Sequence, residues 1–291
     1  MKPTSQSDYT KRIKRVIAAV ADSLEHDRDL PSTATLAGIA NFSAFHFMRI
    51  YRSLAGESLG TTVQRLRLAR AAHLLAASAA PISEVSGRVG FETPQAFARA
   101  FREHFGVAPS EARVANVANA TAIAVSGLAP APSQPRPAIR VDVVTLKPFR
   151  VVVKRTEGVY DKLDEVYRSL FEWMAKRGAL EAIESIWGVP QQDRRDTPAA
   201  NFGFDCCLAT SAALSAGEGV VLEDLGGGNY LRYLHEGSFD HLDESHDVMF
   251  RELLAHPEWQ LRDAPILHEY LTDPDETPEA DLRTHIYMPV A

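Results

Sequence analysis

The chain has 291 residues, enough for two separate hydrophobic cores. Its 45% apolar and 24% charged composition is that of an ordinary globular protein, and no apolar run approaches the ~20 residues of a membrane-spanning helix. The net charge of −7 is unevenly placed: residues 1–114 carry 15 Lys+Arg against 10 Asp+Glu, and residues 115–291 carry 16 against 28. One partner cannot suit both halves; the first favours a polyanion, the second a cation or a neutral ligand.

Residues 1–27 are basic, yet their longest apolar run, 16–21, is shorter than the ~7–15 residue core of a secretory leader. Cys206 and Cys207 are neighbours without CxxC spacing, which gives no disulfide framework and suits a reducing compartment. The expectation is a cytoplasmic protein with no membrane segment.

From about residue 30 the pattern is helical and repeats at an offset of 50. Ser43 maps to Thr93, Phe47 to Phe97, Arg49 to Arg99, Tyr51 to Phe101, Arg52 to Arg102 and Gly56 to Gly106. In the first copy, residues 36–40 form a short apolar helix and Asn41 and Phe42 turn. Ser43 is placed to cap the next helix through its hydroxyl. Phe47, Ile50 and Tyr51 then share an inward face, with Phe45, Met48, Arg49 and Arg52 opposite. Residues 59–79 read as one connecting helix, about 30 Å long at ~1.5 Å per residue. In the second copy residues 82–89 lead, Gly90, Phe91 and Glu92 turn, Thr93 caps, and Pro94 takes the first helical position. Phe97 and Phe101 face inward; Gln95, Ala98, Arg99 and Arg102 face out.

A short helix, a tight turn and a second helix bearing arginine is the helix-turn-helix plan. Arg can bond guanine through two contacts and Gln can bond adenine. An exposed Arg on a single helix is usually just solvated. Two units in matched register, joined by a rod close to the ~34 Å between successive major grooves, point to double-stranded DNA. The strings RLRLARAAHLL at 65–75, ISEVSGRVGF at 82–91 and FARAFREHFGVAPS at 97–110 complete the pattern. Over residues 30–113 the chain resembles the DNA-binding domain of the AraC/XylS family. The resemblance implies that Phe45, Met48 and Arg49 on the first reading helix approach bases, as do Gln95 and Arg99 on the second. Met48 stands where related proteins often carry a polar residue, which favours apolar contact with a thymine methyl. Ser43, Arg52, Thr93 and Arg102 are expected at phosphates, which position without specifying.

Residues 115–139 hold Pro130, Pro132, Pro135 and Pro137 and lack acidic and aromatic residues, the composition of a semi-rigid linker. Beyond it, β-rich runs such as 139–153 and 284–290 alternate with helical runs such as 162–177 and 242–254. A second repeat is present. EGVYDKLDE at 157–165 returns as EGSFDHLDE at 236–244, six identities in nine positions at an offset of 79. Asp196, Thr197 and Pro198 return as Glu276, Thr277 and Pro278. Each copy reads strand, helix, strand, strand: 149–154, 161–176, 185–189 and 204–209, then 230–235, 240–255, 265–271 and 284–289. Two such units pair about a pseudo-twofold axis, and the space between them is the natural cavity.

HEYLTDPDETP at 268–278 followed by THIYMPV at 284–290 is similar to the GyrI-like, or effector-binding, domain family, and the resemblance extends over residues 140–291. It implies that Glu269 points into a pocket and meets cationic or polar ligands, and that Tyr287 is a pocket aromatic. Leu271 shares the strand face of Glu269 by alternation. Trp187 joins them by repeat symmetry, since Glu269 corresponds to Val189 and Trp187 shares that face. A carboxylate among aromatic rings suits a lipophilic cation.

The fold expected is therefore two domains: an all-α double helix-turn-helix at 1–114, a linker at 115–139, and an α+β domain of duplicated β-α-β-β repeats at 140–291. No P-loop, GxSxG elbow or GxGxxG fingerprint occurs, and position 239 is Phe where an HExxH zinc pair needs His. The expectation is a non-enzymatic transcription regulator, activator or repressor, without catalytic residues, cofactor or metal. Its partners would be double-stranded DNA, a small effector and RNA polymerase. The rival readings make the second half a hydrolase of reactive small molecules, with Glu269 and Tyr287 as acid/base partners, or a ligand-free interaction domain.

Overall fold

A computed structural model describes residues 6–43, 46–115, 139–158 and 162–291. These divide into two compact units, one of helices before residue 116 and one built on a sheet that starts at Asp142. Most of the proline-bearing stretch 115–139 lies outside the described residues, and so does Phe45.

The helical unit comprises α1 (Gln6–Glu25), α2 (Thr33–Ala40), α3 (Phe47–Ala55), α4 (Leu59–Ala77), α5 (Ile82–Arg88), α6 (Pro94–Phe105) and α7 (Pro109–Ala115). Side-chain caps start three of them. Ser32 accepts from the Thr35 amide at 3.2 Å, Ser58 from Thr61 at 3.0 Å and Thr93 from Ala96 at 3.2 Å. Gly56 and Gly106, both left-handed, close α3 and α6 at matched places in the two copies. Ile13, Val16, Val20 and Leu24 line one stripe of α1 and meet Leu36, Phe47, Tyr51 and the first half of α4 in one core. Leu68, Ala72 and Leu75, from the second half of α4, join Val85, Phe97 and Phe101 in another. Burying each of these phenylalanines contributes roughly 1.5–3 kcal/mol. The rod α4 thus belongs to both helix-turn-helix copies and sets their separation.

Among the described residues the expected Ser43 side-chain cap is not made. The first turn of α3 is closed instead by the Ser43 carbonyl, which accepts from the amides of His46 and Phe47 at 3.2 and 3.0 Å. Helix α3 begins later than the sequence suggested, and the Ser43 hydroxyl is buried without a partner among the described residues.

The second unit runs β1 (Asp142–Leu146), β2 (Phe149–Glu157), α8 (Leu163–Ala175), β3 (Ile183–Pro190), β4 (Gly203–Thr210), β5 (Val221–Leu225), β6 (Gly228–Glu236), α9 (Leu242–Ala255), β7 (Leu267–Tyr270) and β8 (Arg283–Val290). Its strands form one eight-stranded antiparallel sheet in the order β1-β6-β8-β7-β3-β4-β2-β5. Each repeat has one strand more than expected. The single run 139–153 is two strands parted at Lys147 and Pro148, because proline cannot donate to a ladder and crowds the residue before it. Strand β5 lacks the period-2 alternation by which a half-buried strand is recognised. The two extra strands are exchanged. Strand β1 pairs with β6 and β5 pairs with β2, so each repeat's leading strand completes the other repeat's half of the sheet.

The pseudo-twofold runs between the inner strands β3 and β7. On one face Val152 and Leu208 bury against Leu170, Trp173 and Met174 of α8, and α9 packs on β6 of the other repeat. Alternation turns Val151, Val153, Trp187, Val189, Cys207, Tyr230, Leu267 and Tyr287 to the opposite face, where they form a separate apolar cluster.

Candidate functional site

Two sites follow from this architecture, one in each unit. In the helical unit, α6 presents Gln95, Arg99 and Arg102 to solvent, while Phe97 and Phe101 hold its other face in the core. Thr93 is exposed but spends its hydroxyl on capping. The matching helix α3 is arranged differently. Met48 is half-buried and packs against the first core, and Arg52 is half-buried. Arg49 is only 2% exposed, against the expectation that it faces out. At ~100° per residue it lies about 200° round α3 from Phe47, so its wheel position alone does not account for the cover over it. Helical periodicity carries no information about such cover. The repeat therefore holds in sequence at Arg49 and Arg99 while the two side chains occupy opposite environments.

In the second unit the polar groups gather on the helix-free face. The Tyr287 hydroxyl donates to Glu269 Oε2 at 2.6 Å, and His285 Nδ1 lies 3.2 Å from the same oxygen. Strand register explains the meeting: Leu267 is opposite Tyr287 and Glu269 opposite His285 across β7–β8, and Trp187 is opposite Glu269 across β3–β7. The Trp187 and Tyr287 rings are 5.3 Å apart, Phe149 lies 4.8 Å from Trp187, and Tyr230 meets Tyr287 edge-on at 6.2 Å. The Trp187 indole donates to Ser185 Oγ at 2.7 Å, which fixes the ring. Arg232, opposite Tyr287, reaches Asp142 at 3.3 Å.

Burial first, and then the bond to the Glu269 carboxylate, raises the Tyr287 phenol above its ordinary range. Tyr287 thus keeps its proton and donates to the Glu269 side chain. The Glu269 side chain is 22% exposed, open enough for a ligand and desolvated enough to strengthen a charge contact. The expected set of four is brought together in three members. Leu271 stands apart, one residue beyond the end of β7, 39% exposed, with its amide bonded to the Arg283 carbonyl. Alternation assigned it a face only on the premise of a longer strand.

Repeat symmetry also shows what occurs once. At the offset of 80, Glu269 corresponds to Val189 and Tyr287 to Cys207, so the first repeat supplies an apolar half and the second a polar half. His285, Phe149, Tyr230 and Arg232 were not among the residues expected here. His285 was legible, two positions before Tyr287 on one strand. Tyr230 and Arg232 required the β6–β8 register, and Phe149 the strand order β2-β4-β3.

Helix-turn-helix units on a shared rod, and a duplicated sheet with an aromatic, carboxylate-bearing face, define a DNA-binding transcription regulator carrying a small-molecule domain. The chain belongs to the GyrI-like small molecule binding domain family, which matches residues 140–291, and residues 36–115 match the helix-turn-helix domain of AraC type. The multiple antibiotic resistance protein MarA of Salmonella typhimurium is 29% identical over 105 residues, covering 36% of this chain and 80% of that protein. The right origin-binding protein of Escherichia coli is 23% identical over 238 residues, 74% of this chain and 75% of that one. Among solved structures, the EcmrR C-terminal domain aligns with a TM-score of 0.45 at 11% identity, covering 52% of this chain and 97% of that one. Among the described residues no helix is long and apolar enough to cross a membrane.

Proposed function

We propose that this chain is a one-component transcription regulator whose DNA-binding half, 1–114, is controlled by an effector bound in the 140–291 domain. Residues 115–139 join the two. The effector is an amphipathic molecule with a cationic end. Its charge pairs with Glu269 beside Tyr287, and its apolar body lies on Trp187 and Phe149 toward the apolar half of the face. The observation that carries this reading is the Glu269 carboxylate ringed by Trp187, Tyr287 and His285 on a helix-free face. Gln95 and Arg99 read bases on α6, with Thr93 and Arg102 at phosphates. In the first copy, Ser43, Phe45, Met48 and Arg52 remain proposed contacts, with Met48 limited to apolar contact. RNA polymerase is the proposed partner through which bound effector alters transcription.

The test is a titration of the full-length chain with tetraphenylphosphonium and with a neutral tetraphenyl analogue, following tryptophan fluorescence. Preferential binding of the cation, together with a changed affinity for a duplex selected from a random pool, supports the reading. Equal binding of both compounds sinks the cationic effector.

A second reading, turnover of a reactive small molecule, is favoured by the 2.6 Å Tyr287–Glu269 contact, an acid beside a base. Product formation by the wild-type chain but not by Glu269→Gln would establish it.

A further inference from the structure

Asp27 follows α1 with a left-handed backbone, φ 51°, and ends the segment that closes the first core. Its carboxylate takes two arginines from different elements. Oδ1 accepts from Arg70 on the rod α4 at 2.8 Å, and Oδ2 accepts from Arg88, the last residue of α5, at 3.1 Å. Arg70 is largely covered, with 15% of its side chain exposed. Helix α5 is part of the second core, whereas α1 is part of the first. Burial is the largest single influence on Asp27 and opposes its ionisation, but the hydrogen bonds and charges of Arg70 and Arg88 together outweigh it and hold the carboxyl below its ordinary value.

We infer that Asp27 is a positioning residue: it ties the first helix-turn-helix to the second across the rod and so fixes the relative pose of α3 and α6. The cores alone leave that pose to one helix shared by both, and a helix twists and bends more easily about its axis than it stretches. A carboxylate that grips the rod and the second unit at once removes that freedom. Two-groove binding requires both helices to arrive in register, so a fixed pose lowers the ordering cost of binding. Arg70 and Arg88 are thereby committed to the clamp and not to phosphates. The inference rests on the reading of α3 and α6 as the DNA-facing helices, but its structural part does not.

Asp27→Asn is the test substitution, because asparagine tolerates the left-handed backbone and the fold is retained. Spin labels on cysteines introduced at Ala34 and Glu103, exposed on α2 and α6, report the pose without DNA. The expected result is one narrow distance distribution in the parent and a broadened one in Asp27→Asn, restored by Asp27→Glu. On the duplex that the wild-type chain enriches from a random pool, Asp27→Asn binds roughly three- to tenfold more weakly. On the same duplex cut to a single groove site the two chains bind alike. An unchanged distance distribution overturns the inference even if DNA binding falls. Equal losses on both duplexes overturn it too, since they mark general damage and not lost register.

Discussion

Trp187 and Glu269 face each other across the β3–β7 ladder, the seam where the two repeats of the sheet meet. An aromatic plane and a carboxylate are held as cross-strand partners by the backbone itself, so neither depends on a loop for its placement. This makes the pair the rigid centre of the proposed effector site. Glu269→Gln keeps the shape and removes the charge. Affinity for tetraphenylphosphonium is expected to fall about tenfold or more, in line with the ~1.5–3 kcal/mol of a charge-assisted contact. Affinity for the neutral analogue is expected to change little. Calorimetry of both compounds against both chains checks it.

The Tyr287–Glu269 bond links the site to stability. Because the folded chain holds the phenolic proton more tightly than the unfolded chain, the contribution is complete below the unfolded value near pH ~10 and is lost as pH rises through the raised folded value. Urea midpoints of the parent are expected to hold up to about pH 9.5 and to drop as pH rises beyond about 10, and those of Tyr287→Phe to drop less. At neutral pH the substitution costs about 1 kcal/mol, discounted for the partial exposure of the pair. Identical pH profiles would show that the phenol titrates normally.

The arginines at equivalent repeat positions are expected to behave differently. Arg99 is exposed, so Arg99→Ala leaves the melting temperature unchanged and weakens binding to selected DNA by about 1–3 kcal/mol, with relaxed preference at one or two base pairs. Arg49 is buried, so Arg49→Ala lowers the melting temperature first. Thermal melts alongside footprinting separate the two. A stable Arg49→Ala chain with an altered footprint would return Arg49 to the bases.

How far the sequence speaks is visible in these same residues. Local rules carried well wherever one element decides the outcome. Thr93 caps α6 because its hydroxyl needs only the amide three residues on, and Glu269 sits beside Tyr287 because two adjacent antiparallel strands suffice. Rules failed where more than the local period decides the outcome. Arg49 has an outward wheel position and a covered side chain. Leu271 has the right parity but lies past the strand end. Strands β1 and β5 draw their partners from the opposite repeat, a pairing that no local period encodes. The duplication itself was plain in both halves, and its offset already placed Val189 where the second copy has Glu269.

Cys207 offers a probe of the effector face. It is fully buried on that face, in register with Trp187 on one side and Val153 on the other, and burial pushes its thiol well above the ordinary range. Cys206 points the other way and is also fully buried, its thiol pushed up to about 12 by burial. The thiolate is the reactive form, so both cysteines are expected to be inert to dithiobis(nitrobenzoate) in the native chain and to react fully with it in denaturant. Slow native reaction at Cys207 would measure opening of the face, since no reagent reaches the sulfur while Trp187 and Val153 cover it. An effector lying on Trp187 should slow that reaction further and leave Cys206 unaffected. Rapid native labelling of Cys207 would contradict the packed face on which the site is built.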